Sequence, residues 1–294
     1  WQVDGRQYAL PFSFGITGIW YNTDLFAEAG ISSPPETLDE LVDANEALKA
    51  LGVDPIAVGA GDLWPAGHWW YQFALNACSV ETLQTDIPAL NFDDPCWIEA
   101  GENLEDFIAT EPFNQGFLAT PAQTGADSSA GLVANGNAAM EFMGPWNSGV
   151  IGSLTADEEV PPFLSWFPFP TVPGGQGDPT VTMGGGDGFG VSATAPDVAV
   201  ELLKYIHSAE VQQRFAETGA GIAAHPAAAD SVTDENLQQI ANGLAGSSFV
   251  QLWLDSALGP EFGNPLNQAI VNIFGGVGTP EDVVKALRDT AAAL

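Results

Sequence analysis

The 294 residues carry 38 acidic side chains against 6 basic ones, a formal net charge of −32, and 46% of them are hydrophobic. That balance excludes a nucleic-acid role, because phosphate would be repelled and no basic patch is present; the acidic excess reads as solvated surface. The length admits two domains with real cores, and no run approaches the ~18 uncharged apolar residues that a membrane span needs.

The opening segment, Trp1 to Arg6, reads as a strand–turn–strand fragment and not as the basic-then-apolar run of a signal peptide, so a preceding portion outside this sequence is expected. Residues 7–14 read as a strand running into a loop, and Ile19–Tyr21 as a second short strand. Asn22-Thr23-Asp24 caps a helix over 25–29 that Gly30 stops, and Thr37 with Glu40 has capping-box spacing for a helix over 38–51. Ile56-Ala57-Val58 then completes an expected parallel β–α–β unit. A loop over Gly59–Gly67 leads to the aromatic cluster Trp64, Trp69, Trp70 and Tyr71, and an amphipathic helix is expected over 97–109.

Residues 110–130 are rich in loop formers, and a helix-like run over 129–135 stops at Asn135-Gly136. Ala138–Met143 has strand length and is interrupted only by Glu141. Gly144-Pro145 forces a turn, Trp146 emerges beyond it, and Asn147-Ser148 suits a helix N-cap. A Trp between a strand end and a helix start sits where open α/β sheets bind ligands, although a lone Trp is more often core. Residues 163–170 read as an edge strand, 180–183 and 189–192 as further strands, and Gly184–Gly188 as a flexible link between them. One long helix is expected over 196–215, and others over 232–244, 265–274 and 280–294, the last capped by Thr279 with Pro280 in its first turn.

Few of these residues suggest catalysis or metal binding. The glycines from 184 to 190 lack the strand–loop–helix setting of a dinucleotide site. His68, His207 and His225 are isolated, His207 reading as structural, and the acidic pairs Asp93-Asp94 and Glu158-Glu159 read as exposed loop charges. No catalytic residue, metal ligand or cofactor is expected; a carboxylate-pair glycosidase is the competing class, since such partners need not be neighbours in sequence. Cys78 and Cys96 are too few to hold a metal. They fit a disulfide closing a small loop, which implies an oxidising, extracytoplasmic setting, or else two buried thiols. No Lys or Arg lies between Lys49 and Lys204, so a pocket built from that half has no cationic clamp. Several of the nine Trp residues follow strand ends or glycine-rich loops, and with that missing clamp they favour a neutral, hydroxyl-rich ligand.

Four stretches in order carry a family resemblance: Tyr8–Phe12 with Ile19–Phe26 and Pro34–Leu41, Gly136–Trp146, Gly185–Ser192 with the following helix, and Gly275–Val277 with Thr279-Pro280-Glu281. Together they resemble the extracellular, periplasmic-type solute-binding proteins of carbohydrate ABC importers, the maltose-binding-protein-like family. The resemblance implies an α/β, two-lobe periplasmic-binding-protein-like fold of class II whose lobes close on ligand by hinge motion. It implies a first lobe of residues 1–14 and 188–245, incomplete in this chain, and a second lobe of 15–183 and 249–294. Trp146 matches the family's sugar-stacking Trp; Gly185, Gly186 and Asp187 fall at one interlobe crossing, and Phe12, Ser13 and Phe14 at the other. Trp64, Trp69, Trp253 and Asp255 fall in regions that often line the cleft. The implied function is non-enzymatic capture of a neutral di- or oligosaccharide for ABC permease subunits, by a monomer at the cell surface as a lipoprotein or in the periplasm. A sugar-sensing receptor is a further alternative.

Overall fold

The computed structural model describes residues 2–3, 5–219 and 221–294; Trp1, Asp4 and Ala220, the first two of which belong to the expected opening strand–turn–strand, lie outside it. Strands β1 (Gln2–Val3) and β2 (Arg6–Gln7) pair antiparallel. The continuous strand expected over 7–14 does not form. Strand β3 (Leu10–Pro11) is cut short because Pro11 has no N–H for a ladder, and the Phe12 and Phe14 N–H groups donate to the carbonyls of Asp187 and Ile222. The chain resumes as β4 (Gly15–Ile16) and β5 (Gly18–Asn22).

Local capping chemistry starts the next two helices where the sequence places it. The Asn22 side chain accepts from the N–H groups of Asp24 and Leu25 to open α1 (Thr23–Glu28), and Thr37 with Glu40 forms a complete capping box at α2 (Leu38–Ala50). Each satisfies helix N–H groups that have no intrahelical partner. Next come β6 (Asp54–Ala57), α3 (Trp64–Ala77), α4 (Val80–Ala89), α5 (Cys96–Ile108), α6 (Ser129–Ala134), β7 (Ala138–Met143) and α7 (Asn147–Ser153). The loop expected to run to Gly67 ends at Leu63, with Pro65 accommodated in the first turn of α3. This helix is buried on nearly every side, so it shows little of the one-faced periodicity by which a surface helix is recognised.

Strands β8 (Leu164–Phe167), β9 (Val181–Gly185) and β10 (Gly188–Phe189) follow, then α8 (Val198–Ile206), α9 (Ala209–Glu217), α10 (Glu235–Gly246), β11 (Phe249–Leu252), α11 (Leu254–Leu258), α12 (Pro260–Phe274) and α13 (Pro280–Ala292). The single helix expected over 196–215 is two helices. Ser208 leaves the helical conformation and its hydroxyl accepts from the Val211 N–H to cap α9, so the apolar periodicity runs across a break. Helix α12 begins at Pro260 and not at Pro265, which lies inside it. The expected link at Gly184–Gly188 is mostly ordered ladder: Gly184 and Gly185 end β9 and pair with Ile16 and Gly15.

The larger sheet has the order β6-β7-β5-β8, with β6 parallel to β7 and β5 antiparallel to both β7 and β8. The expected parallel β–α–β unit from β5 to β6 is therefore absent. Strand β7 lies between the two, and the parallel partner of β6 is β7, reached through α3 to α6. A second sheet has the order β11-β9-β4, and β10 pairs with β3. Helix α3 packs between the larger sheet and α5, and the Cys78–Cys96 disulfide joins its C-terminal end to the start of α5. Trp69 is 1% exposed, with Phe107, Phe113, Phe142 and Phe169 around its ring, and Trp70 stacks on Trp97.

Candidate functional site

A cavity of about 480 Å³ opens where the ends of β7, β9 and β11 meet the segment at 12–14 and the residues Phe215, Gly221 and Ile222, within the size range of small-molecule sites. The turn after β7 supplies Trp146. Its ring packs flat against Gly144, where a Cβ would overlap it, and the Gly144 carbonyl accepts from Trp20 Nε1 at 3.0 Å. Gly185 does the same for Trp253, whose ring occupies the space a side chain at 185 would need. Glycine at these two positions lets indole rings lie against backbone.

The rings form one wall. Trp146 meets Trp253 at 5.5 Å between centroids and Trp64 at 6.4 Å; His68 lies 5.0 Å from Trp64 and stacks on Trp253 at 5.9 Å with a 16° interplanar angle. Phe12, Phe14, Phe215 and Ile222 also line the cavity, with the Phe12 and Phe215 rings 4.7 Å apart. Polar groups are few and placed at the edges. Ser13 Oγ donates to Asp187 Oδ2 at 3.2 Å, and Asp255 Oδ2 accepts from Asn267 Nδ2 at 3.2 Å while Tyr71 O–H donates to Asn267 Oδ1. Gln123 and Ser256 complete the polar lining, and no Lys or Arg is among the described lining residues.

Burial controls the charge state here. His68, 3% exposed, has its imidazole pushed down to about 4 by desolvation, against the opposing pull of the Asp255 carboxylate, so it is neutral at physiological pH. Burial, and secondarily Asp255, pushes the Tyr71 phenol up, keeping it a donor. Behind Trp146, Glu141 is held up at about 7 by desolvation, against hydrogen bonds from Ser129 and Asn147 that pull the other way. Asn147, expected as an N-cap, is instead the first residue of α7 and turns its amide to Glu141.

Of the eleven residues singled out in the sequence, Phe12, Ser13, Phe14, Trp64, Trp146, Gly185, Gly186, Asp187, Trp253 and Asp255 line this cavity, while Trp69 is in the core, away from it. The strand-to-helix position that marks Trp64 does not extend to Trp69, because the helix turns residue 69 inward onto the aromatic cluster. His68, Pro145, Gln123, Phe215, Ile222 and Ser256 were not anticipated. His68 follows Trp64 by one helical turn, a spacing that could have found it; Gln123 lies in a loop without a motif, and Phe215 and Ile222 arrive from a distant segment.

Residues 1–213 match the family described as bacterial extracellular solute-binding protein. The chain belongs to that family. Among its relatives is an uncharacterized ABC transporter extracellular-binding protein of Pyrococcus horikoshii, 28% identical over 217 residues that cover 72% of this chain and 46% of the relative. Another is the multiple sugar-binding protein of Streptococcus mutans, 26% identical over 223 residues, covering 73% and 50%. The chain thus spans about half the length of these curated relatives. A solved chitin oligosaccharide binding protein superposes with a TM-score of 0.85 at 27% identity, covering 99% of this chain and 73% of its own. The mixed α/β architecture is that of the class II, maltose-binding-like solute-binding proteins. No helix of the described residues is long and apolar enough to cross a membrane.

Proposed function

We propose that the cavity is the ligand site of an importer's receptor, binding a neutral di- or oligosaccharide and delivering it to ABC permease subunits without catalysis. The observation that carries this reading is the wall of Trp64, Trp146 and Trp253 bordered by Asp187, Asp255, Gln123 and Ser13 with no cation alongside. Apolar faces of sugar rings pack on indoles, and carboxylates and amides take up the hydroxyl edges. A phosphorylated or carboxylated ligand would face two aspartates and no basic partner. The names of the Streptococcus relative and of the chitin oligosaccharide binding protein support the sugar class. Trp146 and Trp253 are assigned the stacking roles, with Ser13, Phe14, Trp64, Gly185, Gly186, Asp187 and Asp255 around the ligand.

The same reading divides the chain into a first lobe of 1–14 and 188–245 and a second of 15–183 and 249–294, closing on the ligand. Within that division, α10 of the first lobe packs on β4 and β8 of the second. Helix α8 leaves Val198 68% and Leu202 60% exposed together with Tyr205 on the same side of the helix. So apolar a face supports a first lobe completed by chain outside this sequence. The receptor is assigned to the cell surface or periplasm as a monomer. Calorimetric titration of the full-length protein with a panel of neutral oligosaccharides, anionic sugars and peptides tests the ligand class. Binding confined to peptides or anions would overturn it, and release of shorter sugars from a bound oligosaccharide would favour the carboxylate-pair enzyme instead.

A further inference from the structure

We propose that Glu141 is a positioning residue that ties the segments bearing Trp146 and Gln123 into one cavity wall, and that a proton held between Glu141 and Ser129 is part of the tie. The proposal builds on the ligand role assigned to this wall. Glu141 is 1% exposed on β7. Its Oε2 accepts from Asn147 Nδ2 at 2.7 Å, and Asn147 follows Trp146 directly. Its Oε1 lies 2.6 Å from Ser129 Oγ, and that same Oγ lies 2.9 Å from the carbonyl oxygen of Ala122, the neighbour of Gln123. One carboxyl group therefore reaches both segments through one side chain each.

Counting hydrogens decides the protonation state. A serine hydroxyl has one proton to donate, yet Ser129 Oγ faces two oxygens. With Glu141 ionised, Ser129 donates to the carboxylate and the Ala122 carbonyl keeps only the Ala130 N–H at 3.1 Å. With Glu141 neutral, its O–H donates to Ser129 Oγ, Ser129 donates to Ala122, and the acid's carbonyl oxygen accepts from Asn147. Every contact in the chain from residue 147 to residue 122 is then a hydrogen bond, without a buried charge.

The surroundings offer no counter-charge. Trp20 on β5 and Ala57 on β6 stand opposite Glu141 in the sheet, and α6 and α7 contain no titratable residue. Tyr21 on β5 and Asp54 on β6 stand opposite Met140 and Ala138, which point to the other face of β7. On α3, His68 lies against Phe142, also on that face. Asp62 accepts from the Ala122 N–H at 2.8 Å, holding the same loop from its other side. The upward displacement of the Glu141 titration to about 7 agrees with this setting.

The test is a pH titration of tryptophan fluorescence on the unliganded protein from about pH 5 to about pH 9, with thermal melts at each point. In the wild type, emission should change with a midpoint near 7; in Glu141→Gln, whose amide donates to Ser129 and accepts from Asn147 as the neutral acid does, it should hold the low-pH value throughout. In a Trp146→Phe background the emission change should shrink to what Trp20, opposite Glu141, still reports. Ser129→Ala removes the hydroxyl that meets either form of the acid and should displace the midpoint from its wild-type value, a check that does not depend on how Glu141→Gln folds. Absence of a wild-type transition, an unchanged transition in Glu141→Gln or in Trp146→Phe, or an unmoved midpoint in Ser129→Ala would each overturn the proposal. Because no sugar is added, these outcomes are separate from failure of the sugar reading.

Discussion

Trp146 is the residue on which the site turns, and its half-buried ring both packs on Gly144 and faces the cavity. Trp146→Ala is expected to weaken sugar binding by roughly 1–3 kcal/mol through loss of stacking area, read by calorimetry; unchanged affinity in a folded variant would place the ring in the core. Two buried titratable groups act oppositely on stability. His68 falls from an ordinary 6.5 to about 4, so the unfolded chain takes up a proton that the folded one refuses. Its contribution is complete above 6.5 and is lost as pH falls toward 4. Glu141 rises from 4.5 to about 7, so the folded chain keeps a proton that the unfolded one gives up. Its contribution is complete below 4.5 and is lost as pH rises toward 7. Glu141→Gln removes the second effect, and its melting temperature should climb more steeply with pH between 4 and 6.5 than that of the wild type. Parallel melting curves would contradict the assignment.

At the scale of elements, the ends of helices and strands carry most of the precision. Trp253 sits between β11 and α11 and can lie over β9 only because residue 185 has no side chain. Gly185→Ala should push the indole away, costing about 1–3 kcal/mol of stability as an overpacked site does, and should lower sugar affinity in the same calorimetric series. Helices α3 and α5 are joined by Cys78–Cys96 across 18 positions. Replacing both cysteines by alanine should lower unfolding free energy by about 3 kcal/mol, the loop-closure value for a ring of this size, as measured in a denaturant titration. A change within experimental error would mean that aromatic packing between the two helices suffices.

Over the whole molecule, the 38 acids and 6 bases leave a surface that repels itself. Of the bases, Lys49, Lys204, Arg214, Lys285 and Arg288 pair with acids at the surface, where each pair contributes little. Raising salt from ~0.01 M to ~1 M shortens the screening length from ~30 Å to ~3 Å. The melting temperature should then rise by about 3 °C, what about 2 kcal/mol gives at an unfolding entropy of ~2.1 cal/mol/K per residue. A melting point that falls or stays level with added potassium chloride would show that charge repulsion is not a principal cost of folding here.

What could be read from the chain itself was local. Capping by Asn22, Thr37 and Thr279, the short strand ending at Gly144-Pro145, and the amphipathic stripe of α5 depend on residues a few positions apart, and each appears as its spacing implies. Ten of the eleven singled-out residues meet at one cavity for a related reason: strand ends and glycine-rich crossings gather at one edge of an α/β sheet. Tertiary structure decided the rest. The pairing of β6 with β7 in place of β5, the burial of Trp69 and the stacking of His68 on Trp253 all depend on neighbours distant in sequence. Glu141 is the plainest case: within the sequence it is one acid among 38, and only the closing of β7 against α6 and α7 makes it a buried carboxyl group behind the tryptophan wall.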